Sequence, residues 1–427
     1  MLNGLNKYQK TVLIIAWLGW VFDVMEASLF GLTKTQMMNE MLGANYAMMG
    51  TIWEGRIHAG MLLGWAAGGL IFGIVADKWG RTKTLILTIF LYCLFTGATA
   101  LCQTPEQVLA ARFLTGLGIG GEWAAGAALI AETVPNSFRP RAAALLQTAA
   151  AIGSICGVFL NMSIGSLNWR WVYLAGIIPA VICLVARYRL EHDTPGAKVS
   201  GEASPDSNYP RGADGEPTTT SEAVKNPLWS LLSTRPYNKR LLLVVIIGVV
   251  GITGGGILPF WLPNLIKPAV HPDSFKMWMN TSMIILHLGT LAGVLVFPPL
   301  TEKYGRRPMF MLFGAMSGIM LFLTATQSSS LVSTLILAPI TSFFALGLTA
   351  GFGLYFTEVF SRAFRATGSG LAYNTGRLLA IPVPIWIGAQ AKTSGVAAAI
   401  GPVALLYVLM IVALIFAPET RGKELEA

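Results

Sequence analysis

Windows of about twenty mostly apolar residues recur along nearly the whole of this sequence, and one globular core could not hide them all. Of the 427 residues, 54% are hydrophobic and only 12% are charged, roughly half the charged share of an ordinary soluble domain. The solvent these segments suit is lipid. A bilayer core of roughly 30 Å takes about 20 apolar residues per helix. The pattern predicts helices over residues 12–34, 57–77, 84–102, 107–131, 141–163 and 170–188, then 240–265, 278–300, 309–327, 331–356, 366–389 and 396–417. The stretch 35–56 has room for a short amphipathic piece. The expected class is an all-α membrane protein with twelve transmembrane helices.

The formal net charge is +9, and its distribution decides what it means. With the N-terminus in the cytoplasm, 22 of the 30 Lys and Arg residues fall in cytoplasmic segments, six in the opposite loops and two inside helices. This is the positive-inside pattern of an inner, cytoplasmic membrane with both termini cytoplasmic, so the charge reports topology and not nucleic-acid binding. Lys7 and Lys10 before an apolar run superficially resemble a secretory leader. That run carries Asp23 and Glu26 and lacks a small-residue cleavage site, so it reads as a retained first helix. Cys93, Cys102, Cys156 and Cys183 fall in expected helices without metal spacing, and no metal or cofactor is expected.

The hydrophobic pattern breaks for a long stretch only at residues 191–239, which include GEASPDSNYPRGADGEPTTT. A segment so rich in Pro, Gly, Ser, Thr and charge reads as a cytoplasmic linker. It divides the chain into a six-helix bundle at 1–190 and another at 240–427. The halves repeat each other. ADKWGR, containing Asp77, Gly80 and Arg81, returns as TEKYGRR, containing Glu302, Gly305 and Arg306, 225 residues later. AETVPNSFR, with Glu132 and Arg139, returns as TEVFSRAFR, with Glu358 and Arg365, at an offset of 226. Two such bundles related by an axis along the membrane normal enclose a midplane site that rocking would open to each side in turn.

Gly73-Ile-Val-Ala-Asp77-Lys78-Trp79-Gly80-Arg81, its partial copy after the eighth helix, Arg112-x3-Gly116-x-Gly118-x-Gly120, and Pro418-Glu419-Thr420-Arg421-Gly422 together resemble the major facilitator superfamily over essentially the whole chain. The second copy has Pro298 where the first has Gly73. The resemblance implies the 6+6 pseudo-symmetric fold, alternating access, and a cytoplasmic charge latch built from Gly73, Asp77, Gly80, Arg81, Glu132 and Arg139 with Glu302, Gly305, Arg306, Glu358 and Arg365. The phrase GLGIGGEWAAGAALIAETVPNSFRPRA, with Phe22-Asp23, is similar to the proton-coupled organic-acid branches (aromatic acid, sialate and other metabolites), and shares spacing with sugar porters. Carried over, Asp23 is the protonatable carboxylate and Arg112 its partner.

The residues argue in parallel. A charge at the bilayer centre costs several kcal/mol, so one found there is paired or functional. Asp23, Glu26, Arg112, Glu122, His287 and Arg377 lie well inside expected helices. Asp23 with Arg112 is either a proton-coupling element or a static pair between helices 1 and 4. Glu26, one turn later, and Glu122 are further candidates for proton coupling or structural partnership. Arg377, whose repeat counterpart is Ala151, can grip a carboxylate with two parallel hydrogen bonds or pair with Glu122. His287 is a packing residue or a proton relay. Gln147, Tyr373, Asn374, Trp20 and Tyr355 offer amide and aromatic groups for a substrate site, and Thr148, Trp17 and Trp123 share their depths. Gly116, Gly118 and Gly120 suit close helix packing. Nothing matches Gly-x4-Gly-Lys-Ser/Thr, so no nucleotide is expected.

The sequence thus predicts a monomeric proton-coupled symporter of a small organic anion, a carboxylate or sugar acid, and not an enzyme. The rivals are a carrier of a neutral sugar or polyol, with Arg377 structural, and a non-transporting membrane sensor.

Overall fold

The computed structural model describes residues 5–133, 139–165, 167–192, 231–233, 235–361 and 364–422. Six helices precede the expected linker: α1 (Lys7–Leu42), α2 (Tyr46–Trp79), α3 (Arg81–Thr99), α4 (Pro105–Thr133), α5 (Arg139–Ile164) and α6 (Trp169–His192). Eight helical pieces follow it: α7 (Tyr237–Ile266), α8 (Phe275–Tyr304), α9 (Arg306–Thr326), α10 (Leu331–Gly347), α11 (Phe352–Glu358), α12 (Arg365–Ala380), α13 (Pro382–Ile400) and α14 (Leu406–Phe416). They make twelve crossings, because three of them are interrupted. A 3-10 stretch, Leu348–Gly351, joins α10 to α11 in one crossing, Pro382 restarts the helix after α12 in another, and after Gly395, at φ 81°, turns the chain inside α13, a 3-10 stretch, Gly401–Leu405, joins the rest of α13 to α14 in the last. Among the described residues seven apolar helical stretches are long enough to span a membrane, and the two longest, Gln9–Ala76 and Thr367–Phe416, each hold more than one crossing. The chain is a multi-pass membrane protein. An even number of crossings leaves both ends on one side, here the termini face; the other is the far face.

Residues 35–56 form no separate amphipathic piece. They complete α1 and α2, of 36 and 34 residues, which meet at the single 3-10 turn Gly43–Asn45. At 1.5 Å per residue each runs about 50 Å, well beyond a bilayer's hydrocarbon. The apolar windows end where the lipid ends, and the helices continue.

The repeat is visible in atoms. In the first half, α2 lies directly on α4: a Cβ built on Gly64 would fall 2.0 Å from the Phe113 carbonyl oxygen, and one on Gly68 would fall 1.9 Å from that of Leu117. In the second half, α8 meets α10 in the same way, with Gly289 2.2 Å from the Pro339 oxygen and Gly293 2.1 Å from that of Phe343. The offsets are again 225 and 226. Backbones this close tolerate only glycine, the small-residue packing expected where lipid gives no hydrophobic drive between helices. The motif turns match too: Gly80 has φ 90° and ψ 149°, and Gly305 has φ 107° and ψ 154°. Only glycine holds that region comfortably, so each copy reverses its chain through one residue.

The two groups of helices meet most tightly at the far face. Gly55 of α2 sits under the Pro384 carbonyl, and Gly388 of α13 sits under that of Thr51. The Thr51 hydroxyl donates to the Gly388 oxygen at 3.0 Å. Asn161 of α5 donates to Asn280 of α8, also at 3.0 Å.

Candidate functional site

Between the two groups of helices lies a cavity of about 320 Å³. Its walls come from α1, α2, α5, α7, α8, α10, the start of α11, α12 and α13, and are mostly apolar and aromatic, with Trp20, Trp65, Phe260, Trp261 and Tyr373 prominent. The polar side chains are Ser28, Gln147, Ser154, Thr253, Thr290, Thr349, His58, His287 and Arg377. Such a wall suits a small solute with an apolar body and one or two polar ends. The break after α10 serves this site. Once the α-helix loosens to 3-10 at Leu348–Gly351, the Thr349 carbonyl accepts the Gln147 side chain from the other bundle at 3.3 Å.

Arg377 closes one end. It lies in the last turn of α12 and is 5% exposed. Its guanidinium carbon stands 4.5 Å from the Trp65 ring centre and 4.9 Å from that of Tyr373, and Nη2 donates to the Tyr373 hydroxyl at 3.3 Å. Among the described side chains no carboxylate pairs with it, Glu122 included. The alternative of a structural pairing with Glu122 is therefore not formed, and a cation lined by aromatic faces lies on the cavity wall.

Arg112 does have a carboxylate partner, and it is Glu26. The two join in a bidentate pair at 2.6 and 2.8 Å, with 0% and 1% side-chain exposure. Thr96 donates to the same carboxylate at 2.7 Å, and Tyr173 and Met61 complete the enclosure. Depth explains the choice: α1 and α4 cross the membrane in opposite directions, Arg112 lies near the far end of α4, and Glu26 is one turn nearer the far face than Asp23. Asp23 is fully buried on α1, and Glu122 is buried on α4.

A second buried pair has no place in the sequence reading. Lys34 Nζ lies 3.1 Å from Glu54 Oε2, both side chains at 0% exposure. Asn264, from the opposite half, donates to the same oxygen at 3.0 Å, and Tyr46 donates to Glu54 Oε1 at 3.3 Å. The ammonium also sits over the rings of Phe260, at 3.8 Å, and Trp261, at 4.2 Å, while His58 stacks on Phe260 at 3.9 Å. This cluster seals the cavity toward the far face. The signal for it in the sequence is a Lys that ends the first apolar window and a Glu just before the second.

Other expected residues divide. Trp20, Gln147, Tyr373 and Arg377 line the cavity. Asn374 does not: its amide donates back to the Gly370 carbonyl at 2.9 Å. Tyr355 packs against Phe310, and its hydroxyl donates to the Pro418 carbonyl at 2.8 Å, at the termini face. It lies on α11, past the 3-10 break, and so below the cavity.

At the termini face the second latch copy is formed by Arg306 and Glu358, at 3.2 Å, with Thr420 donating to Glu358 at 2.5 Å. Glu302 stands exposed outside it. The acid beside Gly305 is instead Glu419, which accepts the backbone N–H groups of Arg306 and Arg307 at 2.9 and 3.0 Å and so caps α9. The side chains of Asp77, Arg81, Glu132, Arg139 and Arg365 lie outside the described residues, and Gly73 faces open space. Partial burial raises the Glu419 pKa, but backbone N–H donors from Arg421, Arg306, Arg307 and Thr420 outweigh it and hold the group below its ordinary 4.5. A depressed carboxyl contributes stability above its unfolded pKa and loses it as pH falls through the folded value. Below about pH 4.5 the thermal midpoint should therefore fall more steeply in the wild type than in Glu419→Gln. Parallel curves would remove Glu419 from the acid response.

Among the described residues no three His, Cys, Asp or Glu side chains are grouped to hold a metal ion. Residues 16–271 match the Major Facilitator Superfamily. With twelve crossings in two repeated halves around a shared cavity, the chain belongs to that superfamily, a family of transporters and not of enzymes. The niacin transporter of Acinetobacter baylyi is 25% identical over 446 residues, covering 99% of this chain and 97% of that protein. The 3-(3-hydroxy-phenyl)propionate transporter of Escherichia coli is 28% identical over 355 residues, covering 82% and 81%. The fold is similar to that of the Escherichia coli xylose transporter in a partially occluded inward-open conformation, with a TM-score of 0.75 and 17% identity over 98% of this chain and 100% of that one.

Proposed function

We propose that this chain is a proton-coupled symporter of a small organic anion, a carboxylate or sugar acid, that works by alternating access as a monomer in a bacterial inner membrane. The termini and residues 191–239 lie in the cytoplasm, and the bundles 1–190 and 240–427 rock about the cavity. The observation that carries the substrate class is Arg377, a buried cation on the cavity wall with no carboxylate partner among the described side chains. A guanidinium so placed gains most from an anion it can hold with two hydrogen bonds. The relatives named for niacin and 3-(3-hydroxy-phenyl)propionate, both small organic acids, support the same class.

Asp23 is the carboxylate we assign to proton carriage, beside the fixed pair of Glu26 and Arg112. It is fully buried and adjoins the cavity-lining Val24. An anion on Arg377 and a proton on Asp23 together leave the occluded site close to neutral, which lowers the cost of moving it across the membrane. Either alone leaves a net charge.

The test is uptake into proteoliposomes under an inward proton gradient, with labelled aromatic and aliphatic carboxylates and with sugars. Arg377→Ala should weaken carboxylate binding by about a hundredfold, the size of a charge-assisted bidentate contact, and Arg377→Lys should recover part of it. Asp23→Asn should lose gradient-driven accumulation while retaining solute exchange. Sugar uptake indifferent to Arg377 would sink the carboxylate reading.

A further inference from the structure

Three polar side chains on the cavity wall hold atoms without a hydrogen-bond partner: Trp65 Nε1, Thr253 Oγ1, and both ring nitrogens of His287. Thr253 is 5% exposed and His287 is 4% exposed. Buried polar groups are satisfied in the great majority of cases, and each exception asks for a partner. All three residues line the same cavity, and a side-chain rotation that turns their polar ends toward it would give a bound solute as the partner.

They fall into two places. Trp65 lies under the Arg377 guanidinium, so its indole N–H belongs with the anion end. Thr253 and His287 sit on α7 and α8, helices other than that of Arg377, and His287 has no neighbouring acid or hydroxyl bonded to it. The rest of the wall is largely apolar, with Val24, Leu62, Ile257 and Met283 among its residues. A neutral imidazole offers one donor and one acceptor, and a threonine hydroxyl offers both. That pair suits a hydroxyl, a ring nitrogen or a carbonyl.

We infer that His287 and Thr253 form a second subsite, which reads a polar substituent at the other end of the solute. The substrate class is then a small carboxylate whose apolar ring or chain also carries a hydroxyl, ring nitrogen or carbonyl. This rests on the reading of Arg377 as the carboxylate anchor and adds to it a reason for selectivity. A cavity wall that leaves buried polar atoms unmatched discriminates strongly against analogues lacking the matching group.

The measurement is calorimetric titration of the purified full chain with benzoate, 3-hydroxybenzoate and pyridine-3-carboxylate. The wild type should prefer the two substituted acids over benzoate by roughly tenfold or more, the worth of one or two neutral hydrogen bonds. His287→Leu should bring that ratio toward one, and His287→Gln should keep part of it. Thr253→Val, a near-isosteric change, should narrow the preference for the hydroxylated acid, and it reads the same ratio if His287→Leu does not fold. A wild-type ratio near one, or a ratio that survives both His287→Leu and Thr253→Val, overturns the second subsite while Arg377-dependent binding of all three acids leaves the anchor standing. Failure of every carboxylate to bind, or binding indifferent to Arg377→Ala, overturns the anchor instead.

Discussion

Glu54→Ala is expected to destabilise the detergent-solubilised protein by about 3–5 kcal/mol, the range for removing one member of a buried pair. The reason is what remains. Lys34 would stay at 0% exposure without its counter-charge, facing two aromatic rings that favour a cation but cannot replace a carboxylate. Asn264 and Tyr46 would each lose an acceptor. Because Asn264 belongs to the opposite half, the loss falls on the contact that closes the far face. Hydrogen exchange in residues 259–266 and 46–56 should speed up more than exchange elsewhere. Asn264→Ala, which removes one neutral donor from the cluster, should cost only about 1 kcal/mol while accelerating exchange at the same place. Replacing the pair together, by Lys34→Met with Glu54→Gln, should recover much of the stability, since a well-packed neutral pair is often no worse than an ionic one. An unchanged melting midpoint in Glu54→Ala would mean that the pair neither holds α1 to α2 nor seals the far face.

This cluster also touches the cavity wall. Phe260 and Trp261 carry the Lys34 ammonium and also line the solute space. A solute resting on those rings therefore meets the same side chains that the far-face seal uses. Differential contact of this kind is what a ligand needs in order to bias one conformation over another.

How far the sequence could be read follows from what each residue's signal depends on. The twelve crossings and the duplication depend on hydropathy and on local motifs, and both were legible: the offsets of 225 and 226 reappear in the glycine contacts of α2 with α4 and of α8 with α10. Arg377 was legible because a lone guanidinium deep in an apolar helix has few explanations. Lys34 and Glu54 were not, because hydropathy marks where lipid begins and not where a helix ends. Lys34 is the last residue of the first apolar window, and Glu54 lies in helix that begins before the second. Tyr355 and Asn374 were placed by depth alone, and depth says nothing about which way a side chain faces or where a helix breaks. The partner of Arg112 depended on the axial stagger of two antiparallel helices, which no single helix records.

That stagger can be measured. Alanine at Glu26 or at Arg112 should each cost about 3–5 kcal/mol, because either change strands a buried charge among Thr96, Tyr173 and Met61. The pair is bidentate and almost wholly removed from solvent, so neither partner can be rescued by water. In a double-mutant cycle read from melting of the purified protein, Glu26 and Arg112 should therefore be coupled by about 3 kcal/mol, at the upper end for residues in direct contact. Asp23 and Arg112, which form no ion pair in this structure, should be coupled far less. The cycle is best run with Glu26→Gln and Arg112→Gln, which keep the volume and leave polar groups that can bond to each other. Strong coupling at 26–112 makes the pair a fixed brace of the first bundle, distinct from the carboxylate assigned to proton carriage. Stronger coupling at 23–112 would assign the guanidinium to the proton site itself and make Glu26 the bystander.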